Sequence, residues 1–278
     1  MHNSTKVAVV QAAPILFEVH PTIDKLERLT QEAAQAGAKL VLFPETFISV
    51  YPRGLSFGTV VGSRSTGGRA TWWRYWNSGI PIPSDATKRL QQIASTNKVY
   101  LIVGITEQST KGGTLYCTLL YIDPKGQLLG KHRKVKPTAA ERIIWGEGDG
   151  TDLKVYPTPY GNIGGLICWE NYMPKARLTL YEQGIDIYLA PTADSRDSWV
   201  ASMRHIALEG RCYVLSCNQF VTKNQYPSNL VGVEDLANQP EIMCRGGSLI
   251  VHPLGHICLL YTSPSPRDLS TSRMPSSA

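Results

Sequence analysis

The feature that most constrains this chain is a series of short, near-continuous apolar runs, each closed by a turn signal or followed by a helical pattern. They are VAVVQA (7–12), KLVLFPE (39–45), VYLIVGI (99–105), LYCTLLYI (115–122), IGGLIC (163–168), IDIYLAP (185–191), CYVLSCN (212–218) and GGSLIVH (246–252). A strand with one face in water alternates apolar and polar residues, whereas a strand covered on both faces does not. These runs therefore predict sheets that are buried on both sides. Helical patterns fall between them. In PTIDKLERLTQEAAQAG (21–37), Ile23, Leu26, Leu29 or Thr30, and Ala33 recur at helical spacing before Gly37. Further helices are predicted over 84–96, 173–183 and 198–210, and DPKG (123–126) followed by LLGKHRK reads as a hairpin turn. β-α-β units pair in parallel and hairpins antiparallel, so the residues alone predict a layered α/β domain.

At 278 residues and 42% hydrophobic content the chain can bury a large core, and no break in composition divides it. The net charge of +6 is spread along the chain, and its densest cluster, KHRKVK (131–136), is too short for a nucleic-acid track and has no interleaved stacking aromatics. No nucleic-acid partner is expected. No apolar stretch approaches a membrane span, and MHNSTKVAVVQAAP lacks the order of a signal peptide. Six cysteines, at 117, 168, 212, 217, 244 and 258, include no CxxC pair and read as reduced thiols of a cytoplasmic protein. HPLGH (252–256) has two histidines but no neighbouring cysteine or carboxylate, so no metal is expected there. From Ser263 onward SPSPRDLSTSRMPSSA has no apolar periodicity and resembles adaptor-derived tails. The expectation is one domain over 1–262, with its C-terminal end cut short near Leu260, followed by a disordered tail over 263–278.

GLICWENYMP (165–174) places Cys168 where an apolar run stops and an acidic, helix-starting segment begins. The carboxyl end of a strand is a common position for chemistry in α/β proteins. A cysteine nucleophile needs a neighbouring base or cation to raise its reactive form. Glu45 ends the buried run LVLFPE, and Lys134 ends LLGKHRK before Pro137. Taken singly, a strand-end Glu is a cap, a Lys in a basic run is a solvated face and a cysteine is packing. The case for one site rests on their combination. GLSFG (54–58) matches the serine-hydrolase elbow, but Pro52 and Arg53 precede it and no strand leads in, so Ser56 is not taken as a nucleophile. GEGDG (146–150) follows no strand and opens no helix, so it is not a dinucleotide fingerprint.

PETF (44–47), HRKVKPT (132–138), ERIIWGEGDG (141–150) and CWEN (168–171), in this order, resemble the carbon–nitrogen hydrolase superfamily and specifically its nitrilase branch. The similarity runs from about Lys6 to about Leu260, with further matching wording in ISVYPRGLSFGTVVG, APTAD and MRHIALEGRCYVLS. The resemblance implies a four-layer α-β-β-α sandwich whose subunits pair across a helix face into a homo-oligomer. It implies Glu45 as general base, Lys134 as cationic stabiliser, Cys168 as nucleophile and Glu141 as the second glutamate that orients the lysine. It also implies a backbone donor at Trp169 and a pocket wall of Tyr51, Trp145 and Thr192. The substrate implied is a small-molecule nitrile, with water as co-substrate and neither metal nor organic cofactor. Amidases and carbamoylases share the Glu–Lys–Cys set, and an inactive fragment is the rival of a different class. The motifs do not choose among arylacetonitrile, aliphatic, cyanoalanine and cyanide users.

Overall fold

The structure, a computed structural model, describes residues 4–261 and 269–275. In chain order its strands and helices are β1 (Ser4–Val10), α1 (Val19–Gln35), β2 (Leu40–Leu42), the short hairpin β3 (Thr59–Val60) and β4 (Ser63–Arg64), α2 (Thr66–Asn77), β5 (Ile80–Pro81), α3 (Asp85–Asn97), β6 (Tyr100–Gln108), β7 (Leu115–Ile122) and β8 (Leu128–Arg133). There follow β9 (Ile163–Gly165), α4 (Pro174–Glu182), β10 (Ile187–Thr192), α5 (Asp197–Gly210), β11 (Tyr213–Asn218), β12 (Phe220–Thr222), β13 (Ile242–Arg245), β14 (Leu249–Val251), β15 (Ile257–Leu260) and β16 (Leu269–Pro275). One sheet has the order β16-β1-β2-β6-β7-β8, with β5 also on β6, and a second has the order β15-β14-β11-β10-β9.

Alternation along each strand explains why the runs are apolar throughout. Val7, Val9, Leu40, Leu42, Ile102 and Leu119 of the first sheet meet Ile163, Ile187, Leu189, Leu215 and Ile250 of the second in one inner core. Their neighbours Ala8, Val10, Val41, Leu101 and Val103 face outward onto Ile23, Leu26 and Leu29 of α1 and Leu90 and Ile93 of α3. On the other side Tyr188, Ala190, Val214 and Val251 face Leu180 of α4 and Trp199, Met203 and Ile206 of α5. Two sheets back to back, each covered by helices, make the four-layer α-β-β-α sandwich.

The pairing directions also place strand ends. β1, β2 and β6 are mutually parallel, and β8 runs parallel to β6 because two antiparallel pairings separate them. Glu45 beyond β2 and Lys134 beyond β8 thus leave the same end of the first sheet. β9 and β10 are parallel, which puts Cys168 beside Thr192 at one end of the second.

Two expectations are corrected. The sequence reading had no helix between 59 and 84, yet α2 forms: the Ser65 hydroxyl accepts from Gly68 N at 3.0 Å, and this cap overrides the two glycines of the first turn. The segment from Ser263 was expected to lack a fixed partner, yet over 269–275 the backbone is a strand antiparallel to β1, from Ser4 opposite Pro275 to Val10 opposite Leu269. Backbone ladders need no particular side chains, and the open edge of β1 is a template for one. The remainder of the predicted tail, 262–268 and 276–278, lies outside the described residues.

Candidate active site

The LVLFPE run ends in a turn that buries Glu45 completely. Gly104 of β6 is what lets this turn lie so close, since a Cβ there would stand 2.1 Å from the Pro44 carbonyl oxygen and 2.8 Å from Glu45 Cα. Lys134, also buried, donates to Glu45 Oε1 at 2.8 Å and to Glu141 Oε2 at 2.7 Å. Glu141 sits in a 3-10 turn (Ala139–Ile143) where Oε2 also accepts from Thr138 N at 2.7 Å and Oε1 accepts from the Tyr51 hydroxyl at 2.7 Å. The GEGDG segment serves this arrangement as a backbone brace. Gly148 N donates to the Lys134 carbonyl at 2.9 Å, and a Cβ at Gly148 would meet the Arg133 carbonyl oxygen at 2.3 Å.

Cys168 opens a 3-10 turn, Cys168–Tyr172, with φ +52°. A left-handed conformation is uncommon and unfavourable for a residue with a side chain, and it throws the thiol out of the strand direction toward the Glu45 carboxylate. Asn171 Nδ2 holds the turn through the Cys168 carbonyl at 2.7 Å and the Leu166 carbonyl at 3.0 Å, and Tyr188 fixes Asn171 Oδ1 at 2.8 Å. Thr192, the last residue of β10, donates to Cys168 Sγ at 3.1 Å.

Burial raises the Cys168 thiol well above its ordinary range, and the Glu45 charge raises it further, beyond what Lys134 takes back. The resting sulfur is therefore a thiol. Burial likewise raises the Glu45 carboxyl, against the attraction of Lys134. Burial pulls the Lys134 ammonium down, but Glu45 and its other anionic neighbours outweigh this and hold it well above 10.5. Of the two Glu45 oxygens, Oε1 takes Lys134 and the Cys117 thiol, the latter at 3.5 Å, whereas Oε2 is buried without a hydrogen-bond partner. A thiol that needs a base thus faces a carboxylate with one oxygen free.

A cavity of about 340 Å³ opens over Cys168, lined also by Tyr51, Arg53, Ala140, Glu141, Trp169, Asp194 and Arg196. Of the residues expected at the pocket wall, Tyr51 lines it, and so does Trp169, expected as a backbone donor. Thr192 lies beneath the sulfur, fully buried. Trp145 does not line this cavity. Its ring packs edge-on to Tyr51 at 5.7 Å and stands 5.8 Å from Lys134 Nζ, its N–H is taken by the Tyr75 hydroxyl at 3.1 Å, and it lines a neighbouring cavity of about 350 Å³. Ser56 is an exposed loop residue bonded to Asp235 at 2.8 Å and lines only that second cavity.

Arg53, Asp194 and Arg196 were missed. Arg53 donates to the Ala193 carbonyl, Trp169 Nε1 donates to Asp194 at 2.9 Å, and Arg196 pairs with Asp194 while lying 4.8 Å over the Trp169 ring. The Asp and Arg of APTADSR do follow a buried strand end, as Cys168 does, and that was the available signal.

The family model described as carbon-nitrogen hydrolase matches residues 6–275. A bifunctional nitrilase/nitrile hydratase of Nicotiana tabacum is 51% identical over 258 residues, covering 91% of this chain and 73% of that protein. An aliphatic nitrilase of Sinorhizobium fredii is 48% identical over 253 residues, covering 91% and 80%. Among solved structures, Saccharomyces cerevisiae Nit3 of the nitrilase superfamily aligns with a TM-score of 0.73 at 22% identity, over 98% of this chain and 90% of that one. At that identity the likeness speaks for the fold.

Proposed function

The chain belongs to the carbon–nitrogen hydrolase family, in its nitrilase branch, and on that premise we propose that it hydrolyses an organic nitrile to the carboxylic acid and ammonia with Cys168 as nucleophile. The observation that carries this reading is the buried Cys168 thiol facing a Glu45 carboxylate whose Oε2 has no partner. Relatives sharing half its residues are named nitrilases, which favours a nitrile over an amide as the substrate.

Cys168 Sγ adds to the nitrile carbon as its proton passes to Glu45 Oε2 and on to the nitrile nitrogen, giving a thioimidate, R–C(=NH)–S–Cys168. A water activated by Glu45 adds to the same carbon. The resulting tetrahedral R–C(OH)(NH2)–S–Cys168 forms next to the Lys134 ammonium and the Trp169 N–H, which stabilise developing negative charge on oxygen. Protonation of its nitrogen and cleavage of C–N releases ammonia and leaves a thioester, which a second water hydrolyses to the acid and the thiol. Cleavage of C–S instead, with the proton going to sulfur, yields the amide. The double name of the tobacco relative, nitrilase and nitrile hydratase, matches this branch point.

Glu141 keeps Lys134 aimed at the cleft, and Tyr51 holds Glu141 and walls the cavity. We assign the catalytic domain to residues 6–275, which include the strand over 269–275 on β1, acting as a homo-oligomer in the cytoplasm, where the six unpaired cysteines stay reduced. Among the described residues no helix is long and apolar enough to cross a membrane. The test is ammonia release from a panel of aromatic, arylaliphatic and aliphatic nitriles and their amides. Release from a nitrile by the wild type and none by Cys168→Ala supports the reading; release from amides alone makes the chain an amidase.

A further inference from the structure

Behind the catalytic group lies a second buried ion cluster that the steps above do not use. His132, two residues before Lys134 and 1% exposed, meets Asp152 Oδ1 through Nδ1 at 2.8 Å and Glu170 Oε2 through Nε2 at 3.0 Å. Burial alone would lower its pKa, but Glu170 and Asp152 outweigh burial and raise it to about 10, so both ring nitrogens donate. The two carboxylates also hold backbone. Asp152 Oδ2 accepts from Arg133 N at 2.8 Å, Glu170 Oε1 from Val135 N at 2.5 Å, and Glu170 Oε2 from Ile167 N at 2.7 Å. These amides immediately precede and follow Lys134 and immediately precede Cys168. Lys134 is on one sheet and Cys168 on the other, and this cluster joins them.

We propose that Asp152, His132 and Glu170 form a clasp of positioning residues that fixes Lys134 relative to Cys168 and so biases the tetrahedral intermediate toward expelling ammonia rather than the thiol. The inference rests on the nitrile-hydrolysing reading for its product term. Nitrogen departs only after it has gained a proton, and the Lys134–Glu45 pair is the group placed to hold that proton near it. With the lysine loosened, protonation of nitrogen slows, while expulsion of sulfur as a thiol, which takes only the hydroxyl proton of the tetrahedral species relayed by Glu45, does not. The amide fraction rises. None of the three clasp residues touches the reacting atoms, so each acts through Lys134 and the Cys168 turn. The charge of the imidazolium matters as much as its shape, because a neutral donor leaves two carboxylates facing each other in a buried space.

Glu170→Gln and His132→Gln test this, with Asp152→Asn as a milder variant that keeps an acceptor for the Arg133 amide. Three quantities are compared with wild type on one nitrile: kcat and KM, the amide-to-acid ratio, and the rate at which iodoacetamide alkylates Cys168, read by mass spectrometry at a fixed fraction of folded protein. The expected result is kcat lowered about 10- to 100-fold with KM changed about threefold or less, because a displacement of about 1 Å is enough for such a loss. The amide fraction should rise at least about threefold, and alkylation should slow. A purely structural role lowers only the amount of active enzyme. Variants that keep the wild-type product ratio and alkylation rate per folded molecule would therefore overturn the clasp, and Asp152→Asn decides if the other two do not fold. If wild type releases no ammonia from any nitrile, the functional reading fails separately, and slower alkylation in the variants still supports positioning while unchanged alkylation refutes it.

Discussion

Thr192→Val removes one hydrogen atom's worth of chemistry from beneath the nucleophile. Thr192 Oγ1 donates to Cys168 Sγ at 3.1 Å and accepts from Asp194 N at 2.9 Å, and Val keeps the branched shape, so no cavity forms. In the resting state the sulfur is a neutral thiol, and such a bond contributes about 0.5–1.5 kcal/mol; as the thiol yields its proton the acceptor becomes anionic, and the same bond contributes about 1.5–3 kcal/mol. Only the difference, about 1–1.5 kcal/mol, counts toward catalysis, which is about tenfold in rate. Thr192→Val should lower kcat/KM for a nitrile, and the rate of Cys168 alkylation by iodoacetamide, about tenfold each. It should also lose about 1–3 kcal/mol of stability, read from the urea midpoint, because the Asp194 amide is left without its acceptor. Thr192→Ser keeps the hydroxyl and should recover most of both rates. A valine variant with wild-type kcat/KM and alkylation, or a serine variant as slow as valine, would show that the hydroxyl does not act on the sulfur.

Cys168→Ala should abolish turnover with the fold intact, whereas Cys217→Ala, whose thiol reaches the Val10 and Leu42 carbonyls in the core, should cost about 0.5–3 kcal/mol of stability and leave kcat per folded molecule unchanged. Cys212→Ala should behave like Cys217→Ala. Because burial raises the Glu45 carboxyl, the acid limb of kcat/KM should lie above 4.5, with rate lost as pH falls; Lys134, held well above 10.5, should give no limb below that value, and a midpoint at or below 4.5 would contradict the base assignment. His132 has its folded pKa raised from 6.5 to about 10, so its contribution to stability is full below 6.5 and is lost as pH rises through about 10. Denaturation midpoints should fall over that window in the wild type and less steeply in His132→Gln. Gly104→Ala should lose activity and stability together, because its methyl group would have to displace the Glu45 turn, and a variant with native kcat would mean that the turn has slack.

The layers were legible because each apolar run, split by alternation, fills two cores, as Val7 and Val9 on one side and Ala8 and Val10 on the other. The positions of Glu45, Lys134 and Cys168 at strand ends were legible for the same reason. Residues 131–134 carried a signal that composition hides. Read as a basic cluster they suggest a solvated face, but in β8 and just beyond it they alternate: Lys131 and Arg133 turn outward and pair with Glu107, while His132 and Lys134 turn inward to carboxylates. Period two, applied to charged residues, separates the two sets. What could not be read is which turns meet across the sheets. Thr192 beneath the sulfur, Cys117 against Glu45 and Glu170 on His132 all join elements distant in sequence, and pairing of that kind is fixed by the packing of the sandwich and not by local pattern. Trp145 was assigned to the pocket wall on resemblance; with its N–H held by the Tyr75 hydroxyl, its ring stands beside Lys134 and Tyr51 and lines the neighbouring cavity.

The ion pairs at the site share one asymmetry that bears on the chemistry. Lys134 lies between Glu45 and Glu141, and His132 between Asp152 and Glu170, so each buried cation has two carboxyl partners. Burial, and after it this excess of acceptors, opposes ionisation of the thiol, which is why Cys168 is raised and does not act as a ready-made thiolate. The same excess favours positive charge, and the hard step of carbon–nitrogen hydrolysis is the departure of nitrogen, which leaves as a protonated amine. Here the proton removed from sulfur passes through Glu45 to the nitrile nitrogen as the thioimidate forms, beside a lysine that holds Glu45 in place, so the nitrogen that must leave already carries it. Raising the thiol pKa slows the first attack, and keeping that proton within the site speeds the later expulsion of ammonia; the Thr192 hydroxyl offsets part of the first cost without disturbing the second.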